Sequence, residues 1–114
     1  PVKATDLCTI FANALDNALE AVKELEEKWI EIRIGRQNQM MVLGFRNPTQ
    51  EKEIVPAGHS RKANPENHGF GILNITYAAE KYQGSVYRRI ETENERRVYC
   101  LEILLFLPEA EPAA

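Results

Sequence analysis

The sequence predicts an α+β fold, a two-layer sandwich with two helices packed on one face of a mainly antiparallel sheet. Two segments carry apolar residues at helical spacing, and two others show the alternation that is typical of paired strands. Their order is helix, hairpin, long polar loop, helix and hairpin. Strands joined as hairpins pair in antiparallel fashion, and amphipathic helices bury their apolar faces against the sheet.

The first helix is predicted to run to about Glu26, with Thr5 or Asp6 as its N-cap. Its apolar stripe consists of Leu7, Phe11, Ala14, Ala18, Val22 and Leu25. Steps of three and four residues place polar side chains on a neighbouring face, namely Asn13, Asn17, Glu20 and Glu24. Asparagine is a poor helix former, so this pair indicates either satisfied polar residues at the helix edge or the polar floor of a pocket.

Two hairpins are predicted from the apolar alternation. The first pairs residues 29–34 with residues 40–45 and ends at Asn47–Pro48, because proline cannot continue an inner strand. The second pairs residues 85–90 with residues 98–107 around a charged turn. Trp29 is expected to anchor the sheet in the core.

A long polar segment separates the first hairpin from the second helix. Residues 49–67 show no usable periodicity, and loops of this length in compact domains are typically functional lids or disordered. We expect disorder over residues 51–66 because of their composition. The second helix is predicted from Gly69 to Gln83, with Gly84 as its C-terminal stop.

Length and charge limit the classes of function. The chain of 114 residues suffices for one domain, predicted over residues 1–108, with residues 109–114 as a flexible tail. Its net charge is −3 and its arginine pairs are interleaved with glutamates, so a nucleic-acid partner is not expected. No apolar run approaches the roughly 20 residues of a membrane span, which predicts a cytosolic domain without direct membrane contact.

The two cysteines give little sign of chemistry. Cys8 and Cys100 are far apart and lie outside any zinc-binding spacing, which argues against a metal site and against a disulfide scaffold. Both are surrounded by apolar residues, so two buried free thiols are expected.

The stretch NHGFGILNI, residues 67–75, places two glycines where the second helix begins. Glycines at such a position serve either a simple turn or a bare backbone at which a phosphate meets a helix N-terminus. The stretch alone does not distinguish these two interpretations. Combined with the asparagine face of the first helix and the long loop, it predicts a nucleotide site.

These two segments also resemble a known family. DLCTIFANALDNALEA is similar to the N box of GHKL ATPases, and HGFGILNI is similar to their second glycine box; the resemblance extends over residues 6–106. The form LDNALEA together with HGFGILNI most resembles the catalytic ATP-binding domain of sensor histidine kinases, in the branch of peptide-pheromone quorum-sensing receptors. The resemblance implies a Bergerat fold, here truncated at its N-terminus, with an ATP lid over residues 48–67.

The resemblance assigns roles on the N-box helix. Asn17 matches the asparagine that ligates Mg²⁺, and Asn13 lies on the same pocket wall. In hydrolysing members of the superfamily the position of Asn13 is a glutamate that activates water, and an amide cannot act as that general base. Asn47 takes the position of the first glycine box's aspartate, which binds the adenine amino group, but no glycines follow it.

The lid region carries the remaining predicted contacts. Gly69 and Gly71 match the glycines that allow the lid to close over the phosphates. Lys62 is expected either to reach a phosphate or to be a solvated loop lysine. His68 is expected either to contact phosphate and steady the lid or to be an exposed loop histidine.

The implied function is a protein-histidine kinase. The domain would bind Mg²⁺ and ATP and donate the γ-phosphoryl group to a histidine on a separate dimerisation domain, with a response regulator downstream. Neither His59 nor His68 is expected to be that acceptor. The parent would be a membrane-anchored receptor with this domain in the cytoplasm. The alternatives are an anti-sigma-type serine kinase of the same fold and a binding module that has lost catalysis.

Overall fold

The computed structural model describes residues 2–56 and 70–108. Its elements are α1 (Ala4–Val22), β1 (Glu31–Gln37), β2 (Met40–Pro48), α2 (Phe70–Glu80), β3 (Ser85–Glu93) and β4 (Arg96–Phe106). The predicted order of elements is therefore confirmed. The predicted tail at residues 109–114 lies outside the described residues.

The four strands form one antiparallel sheet in the order β1-β2-β4-β3. Helix α1 packs against β2 and against α2, and α2 packs over β3 and β4. Both helices cover the same face, which confirms the two-layer α+β fold. Within the described residues, no helix is both long enough and apolar enough to cross a bilayer.

The core lies between the helices and the two central strands. Among the described residues, its buried side chains are Ile10, Ala14, Leu43, Phe45, Ile72, Ile75, Ala78, Ala79, Leu101, Ile103 and Leu105. The ring of Phe11 meets that of Phe45 edge-on, with centroids 5.5 Å apart. Odd-numbered residues of β2 and β4 thus face the helices, because side chains alternate along a strand.

Both hairpin turns are tighter than the sequence suggested. Gln37 pairs with Met40 and Glu93 pairs with Arg96, so each turn has two residues. Asn94 and Glu95 have positive φ angles of 50° and 66°, as a two-residue turn of type I′ requires. The strands are accordingly longer than predicted, and β2 ends at Pro48 as expected.

The predicted N-cap of α1 is wrong. The helix begins at Ala4 after Lys3, which makes no side-chain capping bond, and it ends at Val22 rather than at Glu26. Asp6 lies in the first turn and is only 7% exposed. Its carboxylate accepts hydrogen bonds from Lys81 Nζ, at 3.0 Å, and from the Tyr82 hydroxyl, so it joins α1 to the end of α2.

The C-terminus of α2 has a different geometry from the predicted glycine stop. The helix ends at Glu80, and the residue with positive φ, 54°, is Gln83. Gly84 donates its N–H to Ala79 O at 3.0 Å. A Cβ on Gly84 would lie 1.9 Å from Leu104 O, so glycine is required there by the close approach of β4.

The sheet face away from the helices carries a charged cluster over a buried thiol. Arg46 donates to Glu31 Oε1 at 3.0 Å and pairs with Glu93, and it lies opposite Cys100 in the sheet register. Cys100 is 2% exposed, as predicted, whereas Cys8 is exposed on α1. The prediction of two buried thiols is therefore wrong for Cys8, which lies away from the apolar stripe.

The segment after β2 is attached to the sheet. Thr49 donates its N–H to Arg97 O at 3.1 Å, and Arg88 Nη1 donates to Val55 O at 2.8 Å. The disorder expected from residue 51 onward is therefore wrong for residues 51–56. The rest of that prediction lies outside the described residues.

Candidate functional site

A cavity of about 930 Å³ opens between α1, the first turn of α2 and the segment before β1. This volume lies near the upper end of the range for pockets that hold small ligands, about 300–1,000 Å³. Its lining includes residues from all three parts: Asn13, Asp16, Asn17, Glu20, Lys23, Lys28, Trp29, Ile30, Phe70, Gly71, Ile72 and Asn74. Of the residues predicted for the site, it brings together Asn13, Asn17 and Gly71.

Asn13 connects the asparagine-bearing face of α1 with the glycine-bearing start of α2. Its Nδ2 donates to Thr9 O, one helical turn earlier, at 2.7 Å. Its Oδ1 therefore points toward α2, where a Cβ on Gly71 would lie 3.2 Å from it. Contact at 3.2 Å is tighter than carbon and oxygen normally tolerate, so the absent side chain of Gly71 makes room for the Asn13 carboxamide.

Asn17 lines the cavity one turn further along α1. Tyr99 lies half-buried on the helix-facing side of β4, opposite Asn47 in the sheet register. Burial raises the pKa of Tyr99 above its ordinary value, and the positive charge of Arg88 opposes this rise because it stabilises the phenolate.

Asn47 occupies a different position from the other predicted residues. It is 1% exposed at the end of β2 and is not part of the cavity lining. Its Nδ2 donates to Pro48 O at 2.8 Å, and it lies opposite Tyr99 in the sheet register. Lys62, His68 and Gly69 lie outside the described residues.

The positive and aromatic part of the lining was not predicted from the sequence. Lys23 and Lys28 contribute ammonium groups, and Lys23 Nζ lies 3.5 Å from Glu20 Oε1. The spacing was a usable signal, because Lys23 follows Glu20 by three residues on the face that carries Asn17. Trp29 was expected in the core, but it is half-buried before β1, lines the cavity and donates from Nε1 to Glu27 Oε1 at 2.9 Å.

The lining suits an anionic ligand that carries a divalent cation. Backbone N–H groups at the start of α2 and the two lysines favour negative charge. Amide and carboxylate oxygens of Asn17, Asp16 and Glu20 are the ligand type that Mg²⁺ prefers. Residues 2–56 and 70–108 contain no cluster of three or more His, Cys, Asp or Glu side chains able to hold a metal. A bound Mg²⁺ would thus depend on ligand oxygens as well, as is usual for Mg²⁺ with phosphates.

The family comparison covers almost the whole chain. A family model described as a GHKL domain matches residues 2–105. A search of curated protein sequences found no match.

Solved structures with this fold include histidine kinase catalytic domains. The catalytic domain of histidine kinase ThkA, in a nucleotide-free form, matches with a TM-score of 0.62 at 20% identity, over 95% of this chain and 71% of that chain. The mycobacterial sensor histidine kinase MprB matches with a TM-score of 0.69 at 15% identity, over 94% of this chain and 76% of that chain. These matches show the Bergerat fold.

Proposed function

Since this chain belongs to the GHKL domain family, we propose that it binds ATP with Mg²⁺ and donates the γ-phosphoryl group to a histidine on a separate dimerisation domain. The observation that carries the proposal is the contact between Asn13 and Gly71. It joins the N-box helix to the second glycine box at one cavity of nucleotide size. Two segments that resembled the family only by chance would not be expected to meet at one cavity.

The metal would be held at Asn17. This residue offers a neutral amide oxygen at the cavity, with the carboxylates of Asp16 and Glu20 in the same lining. The phosphates would lie toward Gly71 at the start of α2, where the backbone N–H groups of a first helical turn and the helix dipole favour negative charge. Gly69, Lys62 and His68 remain proposed phosphate contacts because of the family resemblance.

No general base is proposed. The side chain of Asn13 is an amide whose Nδ2 is already bonded to Thr9 O, so it cannot take a proton from water. A histidine acceptor is itself the nucleophile and needs no activated water. Positioning of the reactants and stabilisation of charge in the transition state would then supply most of the rate enhancement, as in other phosphoryl transfers.

The adenine amino group is proposed to bind at Asn47. The donation from Nδ2 to Pro48 O fixes the carboxamide, so that Oδ1 is the atom available to accept a hydrogen bond. An uncharged acceptor in place of aspartate, with no glycines after it, predicts weaker nucleotide binding than in family members with the full box. This same feature favours the alternative of a binding module that has lost catalysis.

The wider setting is proposed from the resemblance alone. The domain would serve a membrane-anchored, pheromone-sensing receptor that phosphorylates a response regulator. A serine kinase of the anti-sigma type is disfavoured, because that group is expected to carry a glutamate where this chain has Asn13.

Calorimetric titration with ATP, in the presence and absence of Mg²⁺, tests the proposal. Asn17→Ala should weaken binding about tenfold or more when Mg²⁺ is present and change it little when Mg²⁺ is absent. Gln37→Ala, which removes a carboxamide from an exposed edge strand outside the cavity, is the matched control. A folded wild-type domain that binds no ATP at millimolar concentration would refute the proposal.

Transfer to a supplied dimerisation domain distinguishes the remaining alternatives. A histidine kinase should label that domain with an acid-labile, base-stable phosphate. An acid-stable phosphate on serine would support the serine kinase, and nucleotide binding without transfer would support the binding module.

A further inference from the structure

Trp29 is an aromatic wall of the cavity and not a part of the core. It is half-buried and lines the cavity just before β1. It is not among the described side chains that form the core or pack against it. Large aromatic rings contribute most to stability when they are packed in a core. The position of this ring at the cavity therefore calls for a reason other than packing.

Charged partners hold the polar edge of the indole ring. Trp29 Nε1 donates to Glu27 Oε1 at 2.9 Å, and Glu27 Oε2 pairs with Arg96 at the start of β4. Nε1–H is the only hydrogen-bond donor of the side chain. Because this donor is already bonded, the ring offers its apolar face to a ligand. A side chain that is held before the ligand arrives also loses less conformational entropy on binding.

The segment that carries Trp29 runs beside the end of β2. Trp29 precedes Glu31 by two residues, and Glu31 pairs with Arg46, the neighbour of Asn47 in the chain. The ring thus belongs to the same end of the sheet as the residue at which the adenine amino group is proposed to bind. Lys28, the residue before Trp29, adds positive charge to the same lining. A planar ring joined to an anionic group suits these two neighbours.

We propose that Trp29 touches the nucleotide, as the surface on which the adenine ring stacks. This inference rests on the proposed function and adds a binding residue to it. Aromatic side chains bind bases by stacking without selecting among them, because every base has a π-face. Trp29 would therefore supply affinity for the base, whereas Asn47 would recognise its amino group.

Trp29→Leu and Trp29→Phe test the role of the aromatic face by calorimetry. Leucine keeps an apolar side chain but removes the face, so Mg²⁺–ATP binding should weaken about tenfold, within the range of base–aromatic stacking. Phenylalanine restores a face, and its affinity should stay within about threefold of wild type. Tyr87→Leu, which removes an exposed aromatic ring outside the cavity, is the matched control and should bind like wild type. Equal losses in the two Trp29 variants, or no loss in either, would overturn the inference.

Intrinsic fluorescence gives a second readout on the unaltered domain, which decides the question even if a Trp29 variant fails to fold. Trp29 is the only tryptophan of the sequence, so its emission reports this position alone. Mg²⁺–ATP should quench the emission with the dissociation constant that calorimetry gives. Inorganic tripolyphosphate with Mg²⁺, which has no base, should leave the emission unchanged.

The outcomes separate this inference from the proposed function. ATP that binds by calorimetry without changing the emission, or equal quenching by tripolyphosphate, would overturn the stacking role and leave the proposed function standing. A folded wild-type domain that binds no ATP by calorimetry would overturn both.

Discussion

The carboxamide oxygen of Asn13 lies 3.2 Å from the point that a Cβ on Gly71 would occupy. Helices α1 and α2 are in contact, and at this point a side chain of one meets the bare backbone of the other. Asn13 cannot withdraw freely, because its Nδ2 is bonded to Thr9 O at 2.7 Å. The absence of a side chain at Gly71 therefore preserves the shape of the cavity, and it also leaves the backbone open to contact with a ligand.

Gly71→Ala should weaken ligand binding while it changes the free energy of unfolding little. Alanine in place of glycine inside a helix is favourable by roughly 0.5–1 kcal/mol. The new methyl group, however, must displace Asn13 or α2 by a few tenths of an ångström. We expect a free energy of unfolding within about 1 kcal/mol of wild type and Mg²⁺–ATP binding weakened about tenfold, since small misplacements are costly at such sites. Denaturant unfolding and calorimetry measure the two quantities.

The double variant Asn13→Ala/Gly71→Ala provides the control. Removing the Asn13 carboxamide relieves the contact, so the stability effects of the two changes should be non-additive, with the double variant more stable than their sum predicts. Additive effects would show that the two side chains do not press on each other.

The contacts of Asp6 with Tyr82 and Lys81 make the free energy of unfolding depend on pH. The hydrogen bond from Tyr82, followed by that from Lys81, lowers the pKa of Asp6 below its ordinary value of 3.8. A carboxyl group with a lowered folded-state pKa contributes stability that is fully present above the unfolded value and is lost as pH falls through the folded value. The free energy of unfolding should therefore decline below about pH 3.8, measured by urea titration at a series of pH values.

Asp6→Asn isolates this contribution. The variant should be less stable than wild type at neutral pH, and the difference should shrink as the pH drops below the ordinary value of 3.8. Equal slopes of stability against pH in the two proteins would show that Asp6 does not carry the effect. Glu102, which is half-buried on β4 away from this contact, offers a comparison through Glu102→Gln.

The two thiols should react at very different rates. Cys8 is exposed on α1, whereas Cys100 is 2% exposed, and burial raises the pKa of its thiol. An aromatic disulfide reagent at pH 8 should therefore modify Cys8 within minutes and Cys100 only through opening of the sheet. Cys8→Ser should abolish the fast phase and leave one thiol that appears in denaturant. Two fast thiols in native wild-type protein would contradict the burial of Cys100.

Local patterns sufficed to predict the layers of this fold. Alternation located both hairpins, and helical periodicity located α1 and α2, because each element buries one face. The boundaries were less accurate where tertiary contacts decided them. Asp6 was expected as a cap because its residue type favours caps, but partners 75 and 76 positions away, Lys81 and Tyr82, hold it inside the helix instead.

The candidate site was predictable only in its local motifs. Asn13, Asn17 and Gly71 stand in recognisable segments, and the structure places all three on one cavity. Trp29 was placed in the core because it begins the alternating run of residues 29–34, but β1 begins only at Glu31 and leaves Trp29 at the cavity.

At Gly84 the need for glycine comes from packing against β4. A Cβ there would lie 1.9 Å from Leu104 O, a backbone atom in the paired centre of the sheet, so neither partner can rotate away. Gly84→Ala should therefore destabilise the domain by about 2–3 kcal/mol, the scale of an overpacked core. Gly35→Ala is the matched control, because nothing lies within 4 Å of its added Cβ. That change should be neutral or stabilise by about 0.4–1 kcal/mol, through the reduced entropy of the unfolded chain. Equal unfolding free energies for the two variants would contradict the close approach of Gly84 to β4.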